Sequence, residues 1–244
     1  MVAGWIQWPL VSITSSEGII RLIPEFLWIL SCYLVYQVTL EIHHLLQGRN
    51  AGYLTSALPS QNTCGLMAVL AIVAAPILHI LAIGLLPDTL LAPLSLGLML
   101  MALRWLNKDG FSIRDWIFAG ILLRLSGLSK YTAAFSAFGL LFVFLSNPRK
   151  AWINTAGFWL AIIIALICIS PVLYWNWAND WISFKYQIAH GAGSTWLWRR
   201  LAAYIGIQIL VYGPLLVLGA YLFMKCCIHG AKLSIWALLG FFVI

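Results

Sequence analysis

The sequence predicts an all-α integral membrane protein, a polytopic helical bundle of about seven or eight membrane helices with a short N-terminal helix lying in the interface. Three observations predict it. Apolar residues make up 63% of the 244-residue chain and charged residues 9%, and the mean hydropathy is +0.95, values that exclude a water-soluble domain of this size. Apolar runs close to membrane-span length recur along the chain, and the basic residues behind its net charge of +7 fall mainly in the short segments between them. That pattern suits membrane topology and lipid headgroups rather than nucleic acid. Finally, the thirty residues from Trp116 to Leu145 carry only two charges, Arg124 and Lys130.

Taken in order, Val2 to Ile13 is a Trp-rich apolar stretch too short for a 30 Å core, which needs about 20 helical residues, and it reads as an interfacial helix. The predicted spans are Phe26 to Leu40, Cys64 to Leu86, Leu90 to Trp105, Trp116 to Leu128, Thr132 to Leu145, Ile153 to Trp175 and Leu201 to Phe223. A further one begins at Ile235 and runs to Ile244. The polar segment Gly52 to Thr63 separates the first two spans.

Whether Trp116 to Leu145 crosses once or twice sets the sidedness of every later loop. As one helix these residues would run about 45 Å, too long for the core without strong tilt, whereas two halves would each be short. Charge decides between them. Two crossings gather Arg49, Arg104, Lys108, Arg114, Arg149, Lys150, Lys225 and Lys232 on one face, and leave Arg21, Lys130, Lys185, Arg199 and Arg200 on the other. A single crossing would move Arg149 and Lys150 to the poorer side. Two crossings therefore give the more coherent cytoplasmic face, and Arg21, Asp88, Lys130 and Asn176 to Arg200 are expected to share the exterior.

An ionisable group at membrane depth costs several kcal/mol, roughly 2.5 to 3.5 at a helix centre, so Lys130 needs a partner or a watery cavity. A lipid phosphate would supply one. The alternative is a lysine snorkelling from a helix end. Asp88 stands alone in Leu86-Pro-Asp-Thr89, as a site residue or as a helix cap acting with Thr89, and Asp180 follows in the Trp-rich run Trp175-Asn-Trp-Ala-Asn-Asp-Trp181. The five cysteines form no C-x-x-C and have no His at metal spacing, and no basic residue precedes Arg21 as a signal peptide would require. His43, His44 and His79 read as structural, and His190-Gly-Ala-Gly-Ser194 lacks the Lys of a phosphate-binding loop.

Several segments carry a resemblance. Gly127-Leu-Ser-Lys-Tyr-Thr-Ala-Ala-Phe135, Pro171-Val-Leu-Tyr-Trp-Asn176 with Asp180-Trp-Ile-Ser-Phe184, and Gly206-Ile-Gln-Ile-Leu-Val-Tyr-Gly-Pro214 resemble bacterial membrane glycosyltransferases of the protein O-mannosyltransferase and aminoarabinose transferase superfamily, as do Met1-Val-Ala-Gly-Trp5 and Arg21-Leu-Ile-Pro24. The resemblance implies the GT-C architecture in a single transmembrane domain over residues 1–244. It implies a multi-pass protein of the bacterial inner membrane that moves a sugar from a polyprenyl-phosphate donor to a lipid, glycan or protein acceptor on the outer face. It further implies that the family's first helix, its catalytic Asp-Glu motif and its C-terminal region lie outside this sequence, so this chain is expected to lack turnover on its own.

On that resemblance Lys130, with Tyr131, would hold the donor phosphate, because fixed cations stabilise the charge left on a departing phosphate. Arg21, Arg199 and Arg200 are further phosphate or lipid contacts, or interfacial anchors. Asp88 and Asp180 are candidates for acceptor binding or for a divalent metal. Arg124 departs from the small or apolar residue of the family. The rival class is a transporter for an anionic substrate built on a broken helix pair at Ser129-Lys130-Tyr131, which would call for internal repeats that the sequence does not show. A purely structural membrane subunit ranks below both.

Overall fold

The structure, a computed structural model, describes residues 2–13, 16–48, 59–74, 83–84, 86–107, 112–130, 132–146, 156–192 and 197–207. Among these the ordered elements are helices: α1 (Val2–Ile13), α2 (Glu17–Gly48), α3 (Gln61–Val73), α4 (Pro87–Asn107), α5 (Ile113–Ser129), α6 (Ala133–Ser146), α7 (Ala156–Ala178) and α8 (Ile182–Ala192), with residues 198–207 also helical. The all-helical expectation is met, and α1 has the bounds read from the sequence. Two helices among the described residues, over Glu17–Leu45 and Pro87–Leu106, are long and apolar enough to cross a membrane. The predicted span at Ile235 to Ile244 lies outside the described residues, as do most of the one at Leu201 to Phe223 and residues 75–82 of the second.

The first predicted span proves too short. In place of Phe26 to Leu40 the helix runs Glu17–Gly48, taking in Pro24, which is fully buried, and continuing through Glu41 and His43. Glu41 accepts a hydrogen bond from Arg104 Nε of α4 at 3.0 Å, so a charge that looks like a span boundary is compensated by the neighbouring helix. α5 begins with a reciprocal cap. Ser112 Oγ accepts from the Asp115 N–H at 3.3 Å, and Asp115 Oδ2 accepts from the Ser112 N–H at 3.1 Å, which satisfies two of the donors a helix start leaves open.

Helix directions follow from contacts at known heights. The rings of Trp105 and Trp116 lie 5.1 Å apart at one end, while Ser129 Oγ donates to Pro87 O at 2.8 Å at the other, so α4 and α5 are antiparallel. Ser95 Oγ and Ser136 Oγ, both buried, are 3.0 Å apart, which with the Ser129 bond makes α6 run parallel to α4. The chain direction therefore reverses between the end of α5 at Ser129 and the start of α6 at Ala133. The long apolar run is a helical hairpin and not one tilted helix. α7 runs parallel to α5, since Trp116 meets Phe158 at 5.5 Å and the Gly120 face meets Ala161.

α4 occupies the middle, packed on α2, α5 and α6, with Leu91, Leu98 and Leu103 at most 1% exposed. Lipid tails are as apolar as leucine, so burying leucine adds little drive in a bilayer; close packing over small residues and hydrogen bonds such as Ser95–Ser136, worth about 0.6 kcal/mol on average, hold such helices together. Gly157 illustrates the packing: a Cβ there would fall inside contact distance of the Trp116 ring. Trp116 is 2% exposed and wedged between Trp105 and Phe158, so it has little room to yield. Gly157→Ala is expected to destabilise the protein by about 1–3 kcal/mol through overpacking, read as a lower thermal midpoint in detergent. An unchanged midpoint would show that the ring moves aside freely.

Candidate functional site

The hairpin brings two isolated charges together. Pro87 occupies the first position of α4, where its missing N–H costs nothing, and Asp88 follows in the first turn, where the positive end of the helix dipole favours a carboxylate. The start of α4 is organised by Thr89, whose hydroxyl accepts from the Leu86 N–H at 3.2 Å and donates to Gly84 O at 2.8 Å. Thr89 thus does the local capping, and the Asp88 carboxylate is left to point elsewhere. It meets Lys130 Nζ at 2.7 Å.

Lys130 is the C-cap of α5, extended at φ −154° and ψ 147°, with its N–H still bonded to Ser126 O at 3.1 Å. Its ammonium lies at the negative end of the α5 dipole. Antiparallel packing sets this end beside the positive end of α4, so the ion pair joins charges that each helix terminus already favours. Ser129, one residue earlier, is anchored to the carbonyl of Pro87. Both charged side chains are about 40% exposed (41% and 40%), and a pair this open adds about 0.2–1 kcal/mol to stability. What it contributes is placement, with part of each group still accessible.

The direction of α7 carries Asn176 to the same end of the bundle. Asn176 is 1% exposed; its Nδ2 donates to Val172 O at 2.9 Å, and its backbone carbonyl accepts from Trp181 N at 2.7 Å and from Asn179 N at 3.2 Å. The Trp181 bond closes the helix in the six-to-one pattern that needs a left-handed residue just past the end, and Asp180 fills that place with φ 52°. Trp181 follows at φ 58°, which is strained for a bulky side chain. Asn176 Oδ1 and Thr132 Oγ1 are buried with no hydrogen-bond partner among the described residues.

The other sequence candidates stand apart from the pair. Arg21 is bonded to Glu17 at 3.3 Å on its own helix, with both side chains open to solvent. Arg199 and Arg200 are exposed on the helical stretch 198–207, and Asp180 is exposed at the α7–α8 turn. Tyr131 lies outside the described residues. Arg124 is exposed on α5 with no ion-pair partner among the described residues. No group of three His, Cys, Asp or Glu that could hold a metal occurs among the described residues. His43, read as structural, is 5% exposed, and neither ring nitrogen has a hydrogen-bond partner among those residues. Sequence reading missed the Ser129–Pro87 bond, and where it weighed Asp88 as a cap acting with Thr89, the capping bonds are made by Thr89 itself. A threonine at the third position of a helix that opens with proline is the signal that could have shown the latter.

Among known protein families, one described as dolichyl-phosphate-mannose-protein mannosyltransferase matches over residues 52–175, half of the chain, and the matched stretch holds both Asp88 and Lys130. No curated protein and no solved structure matches the sequence. The family consists of membrane glycosyltransferases of the GT-C type, for which a lipid-linked sugar is the donor class. The apolar helices accord with that setting. With half its length matched, and the ion pair that joins α4 to α5 inside the match, the chain belongs to the dolichyl-phosphate-mannose-protein mannosyltransferase family.

Proposed function

We propose that this chain belongs to a multi-pass glycosyltransferase of the bacterial inner membrane that transfers a sugar from a polyprenyl-phosphate donor to a lipid, glycan or protein acceptor at the outer face, with Lys130 as the residue that receives the donor phosphate. The observation that carries this reading is the Lys130–Asp88 contact at 2.7 Å between the ends of two packed antiparallel helices. Breaking the sugar–phosphate bond leaves negative charge on the phosphate, and a cation held in advance stabilises it without reorganisation. An ammonium has three N–H donors, of which Asp88 uses one, so two remain for phosphate oxygens.

Asp88 acts in this proposal as the positioning group for Lys130 and as a polar neighbour for the acceptor. Arg199 and Arg200, exposed on the stretch 198–207, and Arg21, already paired with Glu17, serve as interfacial anchors for the lipid surface. The transporter reading rested on an interrupted span at Lys130. A hairpin whose arms are stitched to α4 by Ser129 and Ser136 supports it less well.

Binding is tested with wild type, Lys130→Met and Lys130→Arg in nanodiscs, against a short polyprenyl phosphate and its uncharged alcohol. Met keeps the stem and removes the charge. A charge-assisted hydrogen bond contributes about 1.5–3 kcal/mol, so Lys130→Met is expected to bind the phosphate roughly tenfold more weakly or worse, with Arg in between. Equal binding of both lipids by wild type and Lys130→Met would leave the cation with no phosphate to hold.

Sidedness is tested separately, in a background without the five native cysteines. Ser129→Cys and Ser183→Cys are expected to react with an impermeant thiol reagent from outside intact cells, and Arg114→Cys only after the cytoplasmic side is opened. The reverse pattern would put the Lys130–Asp88 pair on the wrong face for an external acceptor.

A further inference from the structure

One charge has no part in the site: Arg124, which stands in α5 five residues before Ser129. Ser129 reaches Pro87, and the stretch Pro87–Leu106 is long and apolar enough to cross a membrane, so Arg124 lies about 7.5 Å inside that span at 1.5 Å per residue. Lys130, at the helix end, has Asp88 for a partner. Arg124 is exposed and has no ion-pair partner among the described residues.

The face around it is apolar and open. Ile113, Ile117, Ile121 and Arg124 follow one another at steps of four, four and three, which keeps them on one side of the helix, and the three isoleucines are exposed. The rest of α5 is taken up by the bundle: Ala119 and Ser126 are buried, and Gly120 lies against Ala161 of α7. Three residues beyond Arg124, Gly127 is exposed, and a Cβ there would meet nothing within 4 Å. The backbone beside the charge is therefore bare, and a small residue at such a point lets another helix come close.

The described carboxylates of the chain are engaged or lie elsewhere. Glu17 pairs with Arg21, Glu41 with Arg104 and Asp88 with Lys130, while Asp115 closes the cap of α5. Asp180 lies in the turn after α7, and Glu25 is on α2, which packs on α3 and α4. α1, which also touches α5, contains no acid. A second copy in the same membrane offers no better match. α2 packs along α4 with Glu41 at Arg104, and Glu25 precedes Glu41 by as many residues as Asp88 precedes Arg104, so Glu25 stands level with Asp88 and above Arg124. Helical Cα–Cβ bonds tilt toward the N-terminus, which turns Glu25 toward the Lys130 end of the bundle and Arg124 away from it. The same tilt points the guanidinium away from the nearer headgroup layer, and the other end of α5 is about 16 Å off.

We infer that this open face of α5 docks a transmembrane helix of another protein that carries an aspartate or glutamate at the depth of Arg124. Charge complementarity selects the occupant. An unpaired cation in hydrocarbon is costly, and a carboxylate on a neighbouring helix accepts the planar guanidinium through two parallel hydrogen bonds. A wholly apolar helix would leave the charge uncompensated.

The test uses a synthetic helical peptide of about 20 leucines and alanines with one glutamate five residues from its end, and the same peptide with glutamine in that place. Association with the full chain in nanodiscs is followed by energy transfer between labels. Wild type is expected to bind the glutamate peptide roughly three- to tenfold more tightly than the glutamine peptide. Arg124→Leu is expected to bind both alike, and Arg124→Lys to keep part of the preference. Because Arg124 is exposed and makes no ion pair with the described residues, the thermal midpoint of Arg124→Leu should not fall, so a lost preference there is not misfolding. Equal binding of the two peptides by wild type would mean that the guanidinium is satisfied at the headgroups and would overturn the inference, as would a glutamate preference that survives in Arg124→Leu. Energy transfer between differently labelled copies of the chain, without peptide, is expected to be the same in wild type and Arg124→Leu. Self-association that is lost in the variant would make a second copy the occupant and overturn the assignment to another protein.

Discussion

In a chain this apolar, the controlling constraint is that a helix which stops must still satisfy its backbone, because hydrocarbon offers no partner for a free N–H or C=O. The reversal between α5 and α6 meets that demand at small expense. The Lys130 N–H returns to Ser126 O, the Ala133 N–H takes Lys130 O, and the Ser129 hydroxyl reaches across to Pro87 O on α4. With the break stitched in this way, α5 and α6 become two arms on either side of it. The order of α4, α5, α6 and α7, and the end of the bundle at which each helix finishes, follow from that one turn.

The same turn makes the candidate site. Opposed helix ends are electrostatically complementary, and the chain places an acid at the positive end of α4 and a base at the negative end of α5. Their contact adds little to stability, because both groups stay partly open. It places an ammonium whose remaining donors are available on helices that pack against each other and are joined by the Ser129–Pro87 bond. Sites held by secondary structure in this way keep their geometry better than sites on loops. The Ser95–Ser136 bond acts on the arm beyond the turn, where it sets α6 against α4.

The tryptophan-rich end of α7 shows a different kind of local control. Its helix closes through Asp180 and Trp181, two non-glycine residues in left-handed backbone, around the buried amide of Asn176. Asn and Asp tolerate that conformation better than most residues, whereas Trp does not. The surrounding structure must therefore hold this turn in place, and the exposed Trp175, Trp177 and Trp181 give it the amphipathic aromatic rings that favour a headgroup layer.

Composition alone determined that the chain is a helical membrane protein, since no arrangement of residues this apolar could be dissolved in water. The spacing of its apolar runs placed α1, α4, α5, α6 and α7 to within a few residues, and a lone lysine in thirty apolar residues marked the candidate site. Where the sequence misled, a distant residue supplied what the local pattern lacked. α2 runs on to Gly48 partly because Arg104, 63 residues away, neutralises Glu41. Only the tertiary structure decided that Asp88 and Lys130, 42 residues apart, are partners, that Thr89 rather than Asp88 caps α4, and that Arg124 is left without an acid among the described residues. The reason is physical: hydropathy and helical period are properties of neighbouring residues, while an ion pair, a shared cap and an unpaired charge are properties of which helix ends and faces the fold brings together.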